Sequence, residues 1–203
     1  MMKLIAALLI STAFAAEPFG FNTLPSQDAN LIKLWHNLRL DIAKDEFLIA
    51  LCRADPTCSS AAAVRFIAMV DAAKTHTDRA MLGHLNQAIN NAIIRSRDFV
   101  PWYAPLDALS HPGDCKSYAV TKYVALADAG IPDADRKLIM VWDSTRPAET
   151  NLVVVVRDGE SWLVMDNRTL ILADSMVVHY QPLHQFDETG VHDYPPVPPI
   201  HPP

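Results

Sequence analysis

The chain has 203 residues, half of them hydrophobic, and a formal net charge of −6 at pH 7. This length fits one domain that can bury a sizeable core. No stretch concentrates lysine or arginine, which argues against nucleic acid as a partner because phosphate binding needs a basic surface. No basic amphipathic helix is evident, so the pattern also argues against a protein that lies on a bilayer surface.

The N-terminal residues have the pattern of a secretory signal peptide. Lys3 gives a positive start, residues 4–14 form an apolar run, and Ala13 and Ala15 put small residues before the expected cleavage point. A transmembrane anchor is the alternative, but the run is too short to span about 30 Å of hydrocarbon comfortably. We therefore expect residues 1–15 to be removed, leaving a periplasmic or secreted protein with no membrane insertion.

The three cysteines divide into a close pair and a single thiol. Cys52 and Cys58 flank a polar turn that contains the helix-breaking dipeptide Asp55-Pro56. In an oxidising compartment we expect them to form a disulfide across this turn, with two separate buried thiols as the alternative. If they pair, Cys115 is the odd thiol, and a lone thiol in a secreted protein is either reactive or deeply buried.

The first half of the chain has the apolar spacing of helices. Hydrophobic side chains at three- and four-residue steps predict helices over residues 27–51 and 60–73. A third helix is predicted from an N-cap at Thr77 to about Ile93. The proline-containing residues 96–113 then read as a loop, so the first half forms a helical layer.

The second half begins with one more helix, which starts at Cys115, and then changes to the period of β-strands. Asp158-Gly159 is a hairpin signal between two apolar runs. Strands are predicted over residues 138–142, 151–156, 161–165 and 176–180. Helices followed by strands indicate an α+β fold with an antiparallel sheet. We expect the domain to cover residues 16–193, followed by a proline-rich tail over residues 194–203.

The segment Gly113-Asp114-Cys115 carries the clearest chemical signal. A cysteine in the first turn of a helix lies at the positive end of the helix dipole, which favours the nucleophilic thiolate. The free N–H groups of that turn could stabilise a developing oxyanion. Such a thiolate also needs a base or imidazolium partner and a group that orients it. The alternative is a buried structural cysteine.

In order and spacing, several segments resemble the bacterial transglutaminase-like cysteine proteases, chiefly between residues 85 and 167. The matching segments are Gln87 to Ile93, Asp98, Trp102 with Pro105, Gly113 to Cys115, Tyr118-Ala119, Lys122-Tyr123, the strands from Leu138 and Asn151, and Met165-Asp166-Asn167. The resemblance implies a papain/transglutaminase-like α+β fold. It also implies an exported cysteine peptidase whose substrates are periplasmic or surface proteins or peptides.

By this resemblance Cys115 is the nucleophile and Asp166 is the third member of a catalytic triad. The family's histidine falls at the position of Asn151. Asparagine cannot accept and return a proton, and it cannot form an ion pair with a thiolate. Two functions therefore remain: a cysteine peptidase, or a catalytically inactive domain that binds or regulates proteins.

Other interpretations use the same residues. His111, His179 or His184 could supply the base that Asn151 cannot. Acyl transfer between a glutamine and an amine would need the same activated thiolate, and a purely structural envelope domain would bury Cys115.

The resemblance also bears on metal binding. Members of the family often have acidic residues directly after the cysteine that take part in calcium binding. This chain has Lys116 and Ser117 there, and a hard cation prefers several anionic oxygen ligands. We therefore predict no calcium at this place and no cofactor.

Overall fold

The computed structural model describes residues 17–146 and 149–196; the predicted signal peptide lies outside the described residues. The α-helices are α1 (Ala29–Ala54), α2 (Ala61–Ala73), α3 (Asp78–Ala92), α4 (Pro105–Ser110) and α5 (Cys115–Asp128). The strands are β1 (Leu24–Pro25), β2 (Arg136–Asp143), β3 (Thr150–Asp158), β4 (Ser161–Met165), β5 (Ala173–Asp174), β6 (Tyr180–Asp187) and β7 (Gly190–Asp193). The prediction of helices followed by an antiparallel sheet is confirmed.

Short polar side chains set the starts of three helices. The carboxylate of Asp28 accepts hydrogen bonds from the first turn of α1, Ser60 caps α2, and Asp114 caps α5. Each cap satisfies backbone N–H groups that have no partner within the helix. Thr77 is the N-cap residue of α3, as predicted, but its side chain makes no capping hydrogen bond.

A disulfide joins Cys52 and Cys58, whose Cα atoms lie 5.0 Å apart, so the predicted pairing is confirmed. Cys52 lies in the last turn of α1 and Cys58 lies just before α2. Between them, the Asp55 carboxylate accepts hydrogen bonds from the backbone N–H and the hydroxyl of Thr57. The disulfide and the turn together hold the junction between α1 and α2.

The sheet has the order β1-β7-β6-β2-β3-β4-β5, and every neighbouring pair is antiparallel. Leu138 and Val154, which are cross-strand partners, face the core beneath the helices. Ile139 and Val153, the next pair, face a second cluster on the other side with Phe19. Burial on both faces explains why β3 is a continuous apolar run rather than an alternating one.

α5 is the central helix of the helical layer. Every residue from Lys116 to Leu126 is buried. The helix packs on β3 and β2 on the sheet side and on α3 and α4 on the helical side. Its first turn, with Cys115, therefore meets the sheet near the start of β3. No helix in the described part of the chain is long and apolar enough to cross a membrane.

The predicted strand over residues 176–180 was wrong. The sheet instead uses β5 and β6, and a turn lies between them in which Asp174 accepts hydrogen bonds from the backbones of Met176 and Val177. Met176 and Val177 are 65% and 70% exposed, so their apolar character does not reflect burial in the sheet. The predicted loop over residues 96–113 also contains a helix, α4, with Pro105 in its first turn.

Tyr194, which we assigned to the proline-rich tail, packs with the domain. Its backbone N–H donates to the carbonyl oxygen of Leu183 at 3.0 Å, and its hydroxyl donates to Gln185 at 3.1 Å. Its ring meets the ring of Phe19 edge-on, with 6.4 Å between centroids. The packed structure therefore extends to Tyr194.

Candidate active site

The residues before Cys115 are held by backbone hydrogen bonds. The N–H of Gly113 donates to the carbonyl oxygen of Ile94 at 2.8 Å, and the N–H of Ser96 donates to that of Gly113 at 2.8 Å. A Cβ atom on Gly113 would lie 2.5 Å from the Cβ atom of Ser117, a contact that only glycine avoids. Cys115 therefore enters α5 from a closely packed, fixed segment.

The two neighbours of Cys115 carry opposite charges. Asp114 accepts a hydrogen bond from the backbone N–H of Lys116 at 3.0 Å, and its carboxylate also pairs with Lys116 Nζ. The Lys116 ammonium lies 4.2 Å from the ring centroid of Phe99, an aromatic side chain that is 86% exposed. An exposed aromatic ring thus lies against the residue that follows the thiol.

Burial is the largest influence on the thiol of Cys115, and it raises the pKa above the ordinary value. A hydrogen bond from the backbone N–H of Leu152 lowers the pKa, the charge of Asp114 raises it, and Lys116 and Arg168 lower it. The expectation that a helix start favours the thiolate is therefore outweighed by desolvation. At neutral pH the protonated, uncharged thiol is therefore the favoured form.

Asn151 and Leu152, at the start of β3, connect Asp166 and Cys115 through hydrogen bonds. Asn151 Nδ2 donates to Asp166 Oδ1 at 3.2 Å, and Asn151 Oδ1 accepts from the backbone N–H of Leu152 at 3.0 Å. That same N–H also reaches the sulfur of Cys115. The structure therefore brings the three predicted site residues together, with an amide at the middle position.

Asp166 is 3% exposed and accepts further hydrogen bonds. The backbone N–H of Arg168 donates to its Oδ1 at 3.0 Å, and the hydroxyl of Tyr180 donates to its Oδ2. Burial and the contact with Asp166 raise the pKa of Tyr180 well above its ordinary value, so this hydroxyl is a donor rather than a base. The Arg168 guanidinium binds Asp143 and Glu149, each at 2.8 Å.

Sequence reasoning missed the roles of Tyr180 and Arg168 at this site. Asp166-Asn167-Arg168 does contain a local signal, because the side chain of an aspartate that follows a strand often accepts a hydrogen bond from the backbone N–H two residues later. Tyr180 has no such signal. It lies 14 residues beyond Asp166, and only the pairing of β6 with β2 brings it close.

The three histidines that could replace the missing base have different surroundings. His184 Nδ1 lies 2.8 Å from Asp193 Oδ1, in the β6–β7 hairpin. His111 Nδ1 lies 3.1 Å from the backbone oxygen of Asp107. His179 lines a cavity of about 290 Å³ together with Asp166 and other residues near the end of β4.

The residues after Cys115 do not fit a calcium site. The carboxylate of Asp114 already holds the ammonium and the backbone N–H of Lys116, and Lys116 brings a positive charge to the position. The hydroxyl of Ser117 is fully buried. In the described residues no group of three or more His, Cys, Asp or Glu side chains could hold a metal ion.

The fold is similar to solved structures of Legionella pneumophila LapG. One LapG structure aligns with a TM-score of 0.59 and 16% identity over 73% of this chain and 87% of LapG. The calcium-bound LapG structure aligns with a TM-score of 0.58 and 16% identity over 75% and 87% of the two chains. The EGTA-treated one aligns with a TM-score of 0.58 and 17% identity over 73% and 84%. These similarities establish the fold.

The family is established by sequence. A search of curated protein sequences finds no match. The family model described as "Bacterial transglutaminase-like cysteine proteinase BTLCP" matches residues 49–186, which are more than half of the chain and include Cys115, Asn151 and Asp166. The chain therefore belongs to the bacterial transglutaminase-like cysteine proteinases.

Proposed function

We propose that this chain is an exported member of the family that binds protein or peptide segments beside Cys115 without turning them over at the rate of a cysteine peptidase. The observation that carries the proposal is the amide of Asn151, hydrogen-bonded to Asp166 at the position where a triad needs a base. An amide nitrogen holds its hydrogens permanently, so it cannot take a proton from the thiol or return one to a leaving amine.

The state of the thiol supports the same proposal. An active cysteine peptidase uses a thiolate stabilised by an imidazolium. At Cys115 burial raises the pKa of the thiol, and Asn151 offers no charge to offset this effect. Loss of a triad base usually costs several orders of magnitude in rate.

A slow cysteine peptidase is the second candidate. The arrangement of Cys115, residue 151 and Asp166 along α5, β3 and β4 favours it, as does membership of the family. His179 favours it too, because it shares a cavity with Asp166. The distinction between the two candidates is the reactivity of the thiol.

Export is part of the proposal. The pattern of residues 1–15 is that of a signal peptide, and the disulfide between Cys52 and Cys58 suits an oxidising compartment such as the periplasm. The substrates or partners would then be periplasmic or surface proteins. We assign the binding domain to the predicted residues 16–193 together with Tyr194, which packs against Phe19, and treat the proline-rich residues after it as an appended tail.

The rate of alkylation of Cys115 by iodoacetamide, measured against pH, tests the catalytic half of the proposal. We expect the rate to rise with an inflection above about 8.5, the ordinary pKa of a cysteine thiol. We also expect no cleavage of unfolded β-casein beyond that of Cys115→Ser. An inflection below pH 7, or cleavage that disappears in Cys115→Ser, would establish the peptidase instead.

Selection from a displayed peptide library tests the binding half. The wild type should enrich peptides that Cys115→Trp does not, because the larger side chain fills the space beside the thiol. Absence of such enrichment would overturn the binding role.

A further inference from the structure

Lys122 is a fully buried lysine in the middle of α5. Its side chain has no exposed area, and its Nζ has no hydrogen-bond partner among the described residues. Lys122 follows Cys115 by seven residues, which is about two helical turns, so both lie on the same side of α5. Long side chains on a helix lean toward its N-terminus. The ammonium therefore extends toward the end of α5 that carries the thiol.

Asp166 is the charged group that acts on Lys122. Burial lowers the pKa of Lys122 to about 7, and the carboxylate of Asp166 opposes this shift. The donors that reach Asp166 directly are neutral: the amide of Asn151, the hydroxyl of Tyr180 and the backbone N–H of Arg168. A histidine at position 151 could supply a positive charge beside Asp166, but asparagine cannot. The guanidinium of Arg168, the nearest cation along the chain, is bound to Asp143 and Glu149, so a buried cation from another element can balance the carboxylate.

Two asparagines on α3 hold the turn that contains Asp166. Asn90 Nδ2 donates to the backbone oxygen of Asp166 at 3.0 Å. Asn86 Nδ2 donates to the backbone oxygen of Thr169 at 3.1 Å. Because both side chains come from α3, which packs against α5, the turn is fixed to the same part of the helical layer as Lys122.

Three amide oxygens at or beside this turn also lack hydrogen-bond partners in the described part of the chain. The Oδ1 atoms of Asn86, Asn90 and Asn167 are buried without a hydrogen-bond partner. None of them accepts a hydrogen bond from Lys122, whose ammonium has three donors and no acceptor. Buried polar atoms are almost always satisfied, directly or through ordered water.

We propose that Lys122 is a positioning residue whose buried ammonium is the counter-charge that holds Asp166 beneath position 151. This inference deepens the proposed function and rests on its assignment of Asp166 to the site. The fold thus carries a cation behind the carboxylate that does not depend on the side chain at position 151.

A double-mutant cycle in the full mature chain tests the pairing. Lys122→Met keeps the length of the side chain and removes the charge, which leaves Asp166 unpaired. It should lower the melting temperature by about 10 °C. Asp166→Asn should also lower it. The double variant should lose much less melting temperature than the two single variants lose together, because neither charge is then buried alone. The exposed Lys44→Met is the matched control and should change the melting temperature little.

The pH dependence separates a charge effect from packing. The coupling between Lys122 and Asp166 should be large at pH 6 and much smaller at pH 9, because Lys122 loses its proton near pH 7. Losses that add without coupling, or coupling that is equal at both pH values, would overturn the proposal.

The test also gives an answer if Lys122→Met does not fold or if the protein binds no peptides. If Lys122→Met does not fold, a folded double variant supports the pairing, and failure of the double variant to fold overturns it. Because the readout is stability, coupling without any peptide enrichment would refute the proposed binding function and leave the positioning role of Lys122 intact.

Discussion

The Cys115 site and the β6–β7 hairpin contain different parts of the chemistry of a cysteine peptidase. At the first, a thiol and the carboxylate of Asp166 lie on either side of the Asn151 amide. In the second, the carboxylate of Asp193 holds the imidazole of His184 at 2.8 Å. The hairpin has no thiol, because Cys115 is the free cysteine among the described residues. A carboxylate–imidazole pair therefore exists in the protein, in an element separate from the start of β3.

The two regions also differ in their contact with solvent. Asn151 and Asp166 are 1% and 3% exposed, whereas the side chains of His184 and Asp193 are 30% and 40% exposed. A buried carboxylate must be supplied with donors by the fold, and a partly exposed one is solvated by water. The comparison teaches that the fold supplies several donors to an enclosed carboxylate, whereas it leaves the carboxylate of the hairpin to one imidazole and solvent.

The largest expected effect comes from Asn151→His. An imidazole at this position would lie between Asp166 and Cys115 and could form an ion pair with the thiolate. The rate of alkylation of Cys115 by iodoacetamide at pH 7 should rise on the order of 100-fold, because most of the thiol would then be ionised. Asn151→Gln keeps an amide and is the control, with little expected change. Equal rates in all three proteins would show that Asn151 does not occupy the position of the family's histidine.

The close packing before Cys115 is expected to give the next largest effect. Gly113→Ala puts a Cβ atom 2.5 Å from the Cβ atom of Ser117. It should lower the free energy of unfolding in urea by about 2 kcal/mol, through displacement of α5. Gly83→Ala, in the interior of α3 with no atom within 4 Å of the new Cβ, should instead raise it by about 0.5–1 kcal/mol. Changes of the same sign would refute this account of the thiol's surroundings.

Asp45 is a half-buried carboxylate with fewer hydrogen-bond donors than Asp166, so it shows what burial does to a carboxylate that the fold supplies less well. Asp45 accepts one backbone hydrogen bond, from the N–H of Leu106 at 2.8 Å. Burial raises the pKa of Asp45 to about 6, with Asp107 adding to the shift. Protonation therefore favours the folded state. The stability that it contributes is complete below about pH 4 and is lost as the pH rises through 6.

Asp45→Asn, which resembles the protonated form, should raise the free energy of unfolding at pH 8 by about 1 kcal/mol after allowance for solvent screening. Below pH 4 the gain should vanish. Urea titrations at the two pH values measure the difference. A gain that is the same at both would mean that the ionised carboxylate carries no penalty.

The smallest effect is expected in the hairpin. His184→Gln removes a partly exposed pair and should change the free energy of unfolding by no more than about 0.5 kcal/mol. The alkylation rate of Cys115 should stay the same at every pH. A fall in that rate would mean that His184 reaches the thiol, and the contrast between the two regions would no longer hold.

Local sequence signals were sufficient for much of the fold. The helix over residues 60–73, the start of α5 at Cys115 and the Asp158-Gly159 turn between β3 and β4 depend on neighbouring residues, and each was predicted correctly to within one residue. The strand predicted over residues 176–180 was wrong because strand pairing depends on partners far along the chain. Met176 and Val177 belong to an exposed turn, which a local pattern cannot distinguish from a buried strand.

The sequence by itself determined which chemical groups the site has: a thiol at a helix start, a carboxylate after a strand, and an amide rather than an imidazole at position 151. Only the tertiary structure decided their properties. The pKa of Cys115 is raised by burial. Asp166 takes its hydrogen-bond donors from α3, β3 and β6, and we propose that its counter-charge comes from α5. Desolvation and electrostatic attraction act through space, so they depend on elements that are distant in sequence and adjacent only in the folded chain.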